Sequence, residues 1–320
     1  MTTQTIAKTN KLSLTDISNL YHQPFLELIY QAATVHRENQ NPQKVQLCTL
    51  LSVKTGGCQE DCAYCPQAAR YHTNVKRSPL MDVKDVLNNA KKAKEGGSTR
   101  FCMGAAWREV KDNAEFDAVI DMVKGVKSLG LEACCTLGML SASQAQRLAD
   151  AGLTAYNHNL DSSESFYGDI IQTRTYQDRL KTIQNVSNAG ISVCCGGIVG
   201  MGESDDDRIA FLQTLLSLSP APESIPINAL TPVEGTPLQN QEIIDSFDWI
   251  RVIAVARILF PKARIRLSAG RLNMSDEAQA MAFMSGANSI FTGEKLLTTG
   301  NPDHETDKRL LKKCGLSSFS

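Results

Sequence analysis

The chain has 320 residues, 42% of them hydrophobic and 21% charged, with a formal net charge of −1. That balance belongs to a globular protein with a sizeable core; it excludes a disordered chain and the basic footprint of a nucleic-acid binder. The length exceeds a typical single domain but fits one α/β barrel.

Residues 1–11 read as a disordered tail. They hold no apolar segment of a secretory signal, and the first arginine is Arg37, unlike an arginine-rich transit peptide. LTDISNLYH and PFLELIYQAATVHREN follow with helical periodicity, Pro24 suiting a first helical turn, and give an N-terminal helical extension over 12–43. Short β-branched runs then alternate with amphipathic stretches. Strands are expected at 44–53, 99–105, 131–137, 154–161, 191–197, 224–230, 264–270 and 288–293. Helices are expected near 82–95, 114–129, 143–151, 175–189, 204–217, 243–259, 275–285 and 303–314. Several helices pass into a strand through glycine, as in SLG-LEACC and NAG-ISVCC, the signal of an αβ loop. The apolar run IRVIAVARILF is broken by Arg251 and Arg257, and nothing reaches the ~18 apolar residues of a membrane helix.

Eight strand–helix units predict a (β/α)8 TIM-type barrel, one domain over 12–320; an open doubly wound sheet is the alternative. The protein is expected in the cytoplasm, where its ten cysteines stay reduced and act as ligands, core residues or redox groups.

In such a barrel the chemistry lies at the C-terminal ends of the strands. Directly after the first strand comes GGCQEDCAYCPQ, which places Cys58, Cys62 and Cys65 in a C-x3-C-x2-C spacing. Thiolates are soft ligands for iron–sulfur clusters or zinc. Three of them can hold three corners of a [4Fe–4S] cluster and leave one iron open. A zinc site would need a fourth ligand, for which His72 is the nearest candidate.

More thiols lie on the strands: Cys102, the doublet Cys134–Cys135 and the doublet Cys194–Cys195. Successive strand residues face opposite ways, so one cysteine of each doublet faces the interior and periodicity does not say which. Arg266, between Ile265 and Leu267, has the opposite facing to both; a buried charge there needs a partner, ordinarily a carboxylate. Asn157, Asn159 and Asp161 share one face of the fourth strand, and Asn228 lies on the sixth. Amides, with donor and acceptor together, suit a neutral, hydrogen-bonding substrate. GIVGMGE, over 197–203, offers glycines for close backbone approach to a ligand. Cys48 and Cys314 read as structural, and His158 as packed outward.

The C-x3-C-x2-C motif with Tyr64 before its last cysteine resembles the radical S-adenosylmethionine (SAM) superfamily. Within it, LLSVKTGGCQEDCAYCPQ, RFCMGAAWR, GLEACCTLG, YNHNLD, TRTYQDRL, CCGGIVGMGE, IPINAL, GTPL, RLSAGR and GANSIF, spread over roughly 25–315, resemble the biotin synthase family. The resemblance implies a sulfurtransferase that inserts sulfur into dethiobiotin to form biotin. It implies a [4Fe–4S] cluster on Cys58, Cys62 and Cys65, with SAM on the open iron as the source of a 5′-deoxyadenosyl radical. It implies a [2Fe–2S] cluster on Cys102, Cys134, Cys194 and Arg266 as the source of sulfur. It places Tyr64, Asp161, Arg179, Gly200 and Gly202 at SAM, and Asn159 and Asn228 at the ureido ring of dethiobiotin. It also implies a flavodoxin or ferredoxin as electron donor, a homodimer, and no side chain acting as general base. The rivals are a radical SAM enzyme without the second cluster and a non-catalytic metal-binding protein.

Overall fold

The computed structural model describes residues 12–319; the tail expected at 1–11 lies outside them. Helix α1 (Leu14–Tyr21) opens with a capping box in which Ser13 and Asp16 satisfy each other's backbone amides. Helix α2 (Phe25–Asn39) follows, with Pro24 as its N-cap residue rather than in its first turn. The alternating part runs β1 (Lys44–Lys54), α3 (Val83–Glu95), β2 (Arg100–Ala105), α4 (Ala114–Ser128), β3 (Glu132–Thr136), α5 (Ala142–Asp150), β4 (Ala155–Asn157), α6 (Glu164–Ile170) and α7 (Tyr176–Asn188). It continues with β5 (Ser192–Cys194), β6 (Gly197–Val199), α8 (Asp205–Ser217), β7 (Ser224–Ala229), α9 (Ser246–Leu259), β8 (Arg264–Leu267), α10 (Asp276–Met284), β9 (Ser289–Phe291), α11 (His304–Lys313) and β10 (Ser317–Ser318).

The strands pair in parallel in the order β1, β2, β3, β4, β5, β7, β8, β9, and β9 returns to β1 through Gln46↔Ser289 and Cys48↔Phe291. The sheet therefore closes into the eight-position barrel expected, not an open sheet. The strand expected at 191–197 is two pieces, β5 and β6. Pro226, opposite the break, has no N–H to offer a neighbour. Gly196 presses against it so closely that a Cβ would lie 1.9 Å from the Pro226 carbonyl oxygen. Helix α2 packs along α9, where Arg251 Nη1 donates to the carbonyls of Tyr21 (2.5 Å) and Gln23 (2.9 Å). Among the described residues no helix is long and apolar enough to cross a membrane.

Two apolar layers result. Outward strand residues such as Phe101, Ala133, Tyr156, Ile225 and Leu267 pack on the helices in one large core. A small separate cluster inside the barrel holds Cys48, Cys102, Cys134, Ala155, Phe291 and Leu296. The division orients the doublets: Cys135 and Cys195 belong to the helix-facing core, and Cys134 to the interior.

Candidate active site

The three-cysteine loop leaves β1 through Gly56 and Gly57, whose φ values of 72° and 75° are open to glycine at little cost. It is tied to itself: Cys58 N donates to the Gln67 carbonyl (3.0 Å), Ala69 N to the Cys58 carbonyl (2.7 Å), and Cys65 N to the Cys62 carbonyl (2.9 Å). It is also tied to the end of α6 and the segment after it. Ala63 N donates to the Ile170 carbonyl (2.9 Å), and the Asp61 carboxylate accepts from the amides of Gln172 (3.0 Å) and Thr173 (3.1 Å). Burial pushes the Cys62 thiol up to about 11 and the Cys65 thiol up to about 12. Both are protonated without metal, and a ligating metal must displace those protons.

Tyr64 joins this loop to the fourth strand. Its Oη donates to Asp161 Oδ2 at 2.7 Å, and Arg179 Nη2 lies 2.5 Å from the same oxygen. Arg179 also donates through Nε to Tyr167 Oη (2.8 Å) and through Nη1 to the Asn159 carbonyl. Asp161 has a φ of 70°, the one positive value at a non-glycine among the described residues. Such a conformation persists only where its surroundings enforce it; here Ile198 N donates to the Asp161 carbonyl (2.9 Å). Burial holds the Tyr64 hydroxyl well above its ordinary pKa, and Asp161 adds to this. Three residues predicted at SAM thus form one buried chain of contacts.

Gly200 and Gly202 do not join them. Their φ values are 91° and 107°, so the turn itself requires glycine. The amides of Gly200 and Met201 donate to the Glu203 carboxylate (2.8 and 2.7 Å), which Arg208 Nε also reaches (2.8 Å). From that motif it is Ile198 that lines the cavity described below.

Deeper in the barrel, Cys102 and Cys134 are cross-strand neighbours. The neighbouring Cys134 thiol and burial push the Cys102 thiol well up, whereas Cys102 lowers the Cys134 pKa and Arg100 and Arg266 add to that lowering. Cys194 Sγ faces Arg266 Nη1 (3.7 Å) and Asn157 Nδ2 (3.4 Å). Arg266 is 1% exposed, donates through Nε to Ser289 Oγ (3.0 Å), and has no carboxylate partner among the described residues. The nearby carboxylates Glu132 and Glu223 hold Arg100 instead, at 2.7 and 3.1 Å. The ordinary destiny of a buried arginine, an ion pair, is therefore not that of Arg266. Its guanidinium faces sulfur. Cys48, expected to be structural, is inward too, its Sγ 3.6 Å from Ser289 Oγ.

A cavity of about 210 Å³ connects these parts. Cys102, Cys134 and Arg266 line its depth, Asn157, Asn159 and Asn228 its middle, and Tyr64 and Cys65 its mouth. Asn159 Oδ1 accepts from Asn157 Nδ2 (2.8 Å) and Gly196 N (3.1 Å), leaving its own N–H groups for a ligand. Asn228 is more engaged: Nδ2 donates to the Gly197 carbonyl (2.9 Å) and Oδ1 accepts from Ala269 N (3.1 Å). Among the described residues, no three Cys, His, Asp or Glu side chains gather at the spacing one metal ion needs. The fit is to clusters, whose bridging sulfides spread their ligands more widely. It rests on the soft donors Cys58, Cys62 and Cys65 in one folded loop, and on Cys102, Cys134 and Cys194 around an unpaired Arg266.

A closed parallel barrel with a C-x3-C-x2-C loop at its mouth is the scaffold of a radical SAM protein. The Radical SAM superfamily model matches residues 52–215, and that of the Biotin and Thiamin Synthesis associated domain matches 226–317. The chain is 62% identical to the biotin synthase of Cytophaga hutchinsonii, over 96% of this chain and 91% of that one. It is also 62% identical to the biotin synthase of Myxococcus xanthus, over 95% and 88%. A crystal structure of methylornithine synthase superposes with a TM-score of 0.80 at 18% identity, covering 98% of this chain and 95% of that one, a likeness of fold alone. This chain belongs to the biotin synthase family.

Proposed function

We propose that the chain converts dethiobiotin into biotin by radical insertion of sulfur. The observation that carries this is the single cavity whose wall includes Cys65 at the mouth, Cys102, Cys134 and Arg266 in the depth, and three asparagines between. A radical-forming site and a sulfur-holding site must face the same substrate, and one shared chamber provides that. Cys58, Cys62 and Cys65 would hold a [4Fe–4S] cluster; Cys102, Cys134, Cys194 and Arg266 a [2Fe–2S] cluster. With SAM, these groups supply the 5′-deoxyadenosyl radical and the sulfur, respectively.

The protein's own part is binding, orientation and exclusion. Asp161 and Arg179 offer a carboxylate and a cation, a match for the ribose hydroxyls and the carboxylate of SAM, with Tyr64 beside the adenine. Asn159 offers its free N–H groups to the ureido carbonyl of dethiobiotin, and Asn228 stands on the other side of the Gly196–Gly197 step from it. Leu50, Phe291, Leu296 and Leu297 give apolar walls that keep water and reducing side chains from a reactive carbon centre. No side chain acts as general base. The same reading makes 12–320 one barrel domain with its N-terminal helices at 12–43, and carries a flavodoxin or ferredoxin donor, a homodimer and a cytoplasmic location.

Anaerobic reconstitution tests it. Both clusters together give about six irons per chain, four from one and two from the other. With SAM and a reductant, such a preparation is expected to yield biotin from dethiobiotin. A fully loaded protein that yields none refutes the reading; a protein that saturates at about four irons points to a radical SAM enzyme without a sulfur-donating cluster.

A further inference from the structure

Four thiols, not three, meet inside the barrel. Cys48 faces inward from β1, is fully buried, and packs in the cluster that contains Cys102, Cys134, Ala155 and Phe291. Its Sγ is 3.6 Å from Ser289 Oγ, and that hydroxyl accepts from Arg266 Nε at 3.0 Å. A single hydroxyl thus stands between Cys48 and the arginine. Arg266 in turn faces Cys194 Sγ at 3.7 Å and lacks a carboxylate partner among the described residues. A guanidinium holds its proton and has no lone pair to give, whereas a thiolate is a strong, soft iron ligand. At this corner the better ligand is the residue behind Arg266.

We propose that Cys48 is the reserve fourth ligand of the second cluster site: when Arg266 withdraws or is replaced, the Cys48 thiolate takes its place and the cluster rests on four cysteines. This builds on the reading that Cys102, Cys134 and Cys194 hold a [2Fe–2S] cluster. The exchange changes no oxidation state. An iron–nitrogen bond to Arg266 would break and an iron–sulfur bond to Cys48 would form; the thiol proton would pass to the departing guanidine, which becomes guanidinium, or to solvent where Arg266 is replaced.

The test uses the full chain carrying Cys58→Ala, Cys62→Ala and Cys65→Ala, so that only the second cluster loads. Into it go Arg266→Leu, which keeps the volume without a donor, and the pair Arg266→Leu/Cys48→Ala. Iron and acid-labile sulfide per chain are measured with the resonance Raman spectrum, and circular dichroism checks the fold of each apoprotein. Arg266→Leu is expected to retain about two irons with the iron–sulfur bands of a four-thiolate site, and the pair to lose iron at least fivefold. The proposal is overturned if the pair retains the iron of Arg266→Leu, or if Arg266→Leu alone loses its cluster. Should the pair not fold, the Raman spectrum of Arg266→Leu decides, and bands unchanged from the parent overturn it. A parent that binds no second cluster refutes the underlying assignment, a different result.

Discussion

Asp161 carries a charge that the buried site depends on, and Asp161→Asn isolates that charge. Asparagine keeps the shape, tolerates the left-handed backbone that Asp161 adopts, and can still accept from Tyr64. What goes is the negative partner of Arg179, when both side chains are 4% exposed. Removing one member of a buried ion pair costs about 3–5 kcal/mol, because the other charge is stranded. Arg179 keeps the Asn159 carbonyl and the Tyr167 hydroxyl, which argues for the lower end of that range. A loss of about 3 kcal/mol corresponds to roughly 6 °C in Tm for a chain of this size, at about 2 °C per kcal/mol. The assay is thermal unfolding of apoprotein under anaerobic conditions, with Arg179→Met and the double variant completing the cycle. Because the double variant has no stranded charge, it should lose less than the two single changes combined. An Asp161→Asn protein that melts within a degree of the parent would refute the reasoning, since Arg179 would then not depend on Asp161.

Three other outcomes are expected. If Asn159 holds the ureido ring as proposed, Asn159→Ala removes a neutral hydrogen bond to substrate, about 1 kcal/mol, and should raise the KM for dethiobiotin about fivefold; an unchanged KM removes Asn159 from the substrate site. Gly196→Ala drives a methyl group into the Pro226 carbonyl oxygen, 1.9 Å away, and should cost at least ~1–3 kcal/mol while lowering the second cluster's occupancy more than the first's; a variant with parental Tm and iron content would count against this. His36 is buried and held neutral, its pKa lowered to about 4 by burial and by Arg257, Arg37 and Arg264. The unfolded chain takes up that proton near pH 6.5 and the folded one does not, so stability falls as pH drops from about 6.5 to about 4, by up to ~3 kcal/mol. His36→Leu should flatten that stretch of a Tm-against-pH curve, and an identical slope would exclude His36 as its source.

The barrel was readable because its periods are clean: amphipathic helices with glycine C′ residues fed β-branched runs, and each run but the one at 191–197 became one strand within a few residues of its expected bounds. The three-cysteine loop was readable for the same reason, being local. What depends on facing was not. The doublets Cys134–Cys135 and Cys194–Cys195 look alike in sequence, and only the partition between the helix-facing core and the interior tells their members apart. Arg266 reads as half of an ion pair until the carboxylates are found on Arg100. The break between β5 and β6 follows from Pro226, on another strand, which a local pattern does not register. Helix α6, only seven residues long, gave no periodic signal, yet its last residue and the segment after it brace the cysteine loop through Ala63 and Asp61. Cys48 looked like any small core residue; its signal was its inward register on β1, two residues before Leu50 of the cavity wall.

The two thiol sets differ in how much chain must be folded to create them. Cys58, Cys62 and Cys65 are neighbours in sequence, and closing so short a segment costs little entropy. Cys102, Cys134, Cys194 and Arg266 come from four strands spread over about half the chain, and they meet only once the β9–β1 seam closes the barrel. Maturation therefore has an inherent order. The thiols at the mouth can gather early, on a partly folded chain, whereas the inner set records that folding is finished. A barrel that has begun to open loses the inner set first, so whatever the inner thiols hold doubles as a gauge of the barrel's integrity.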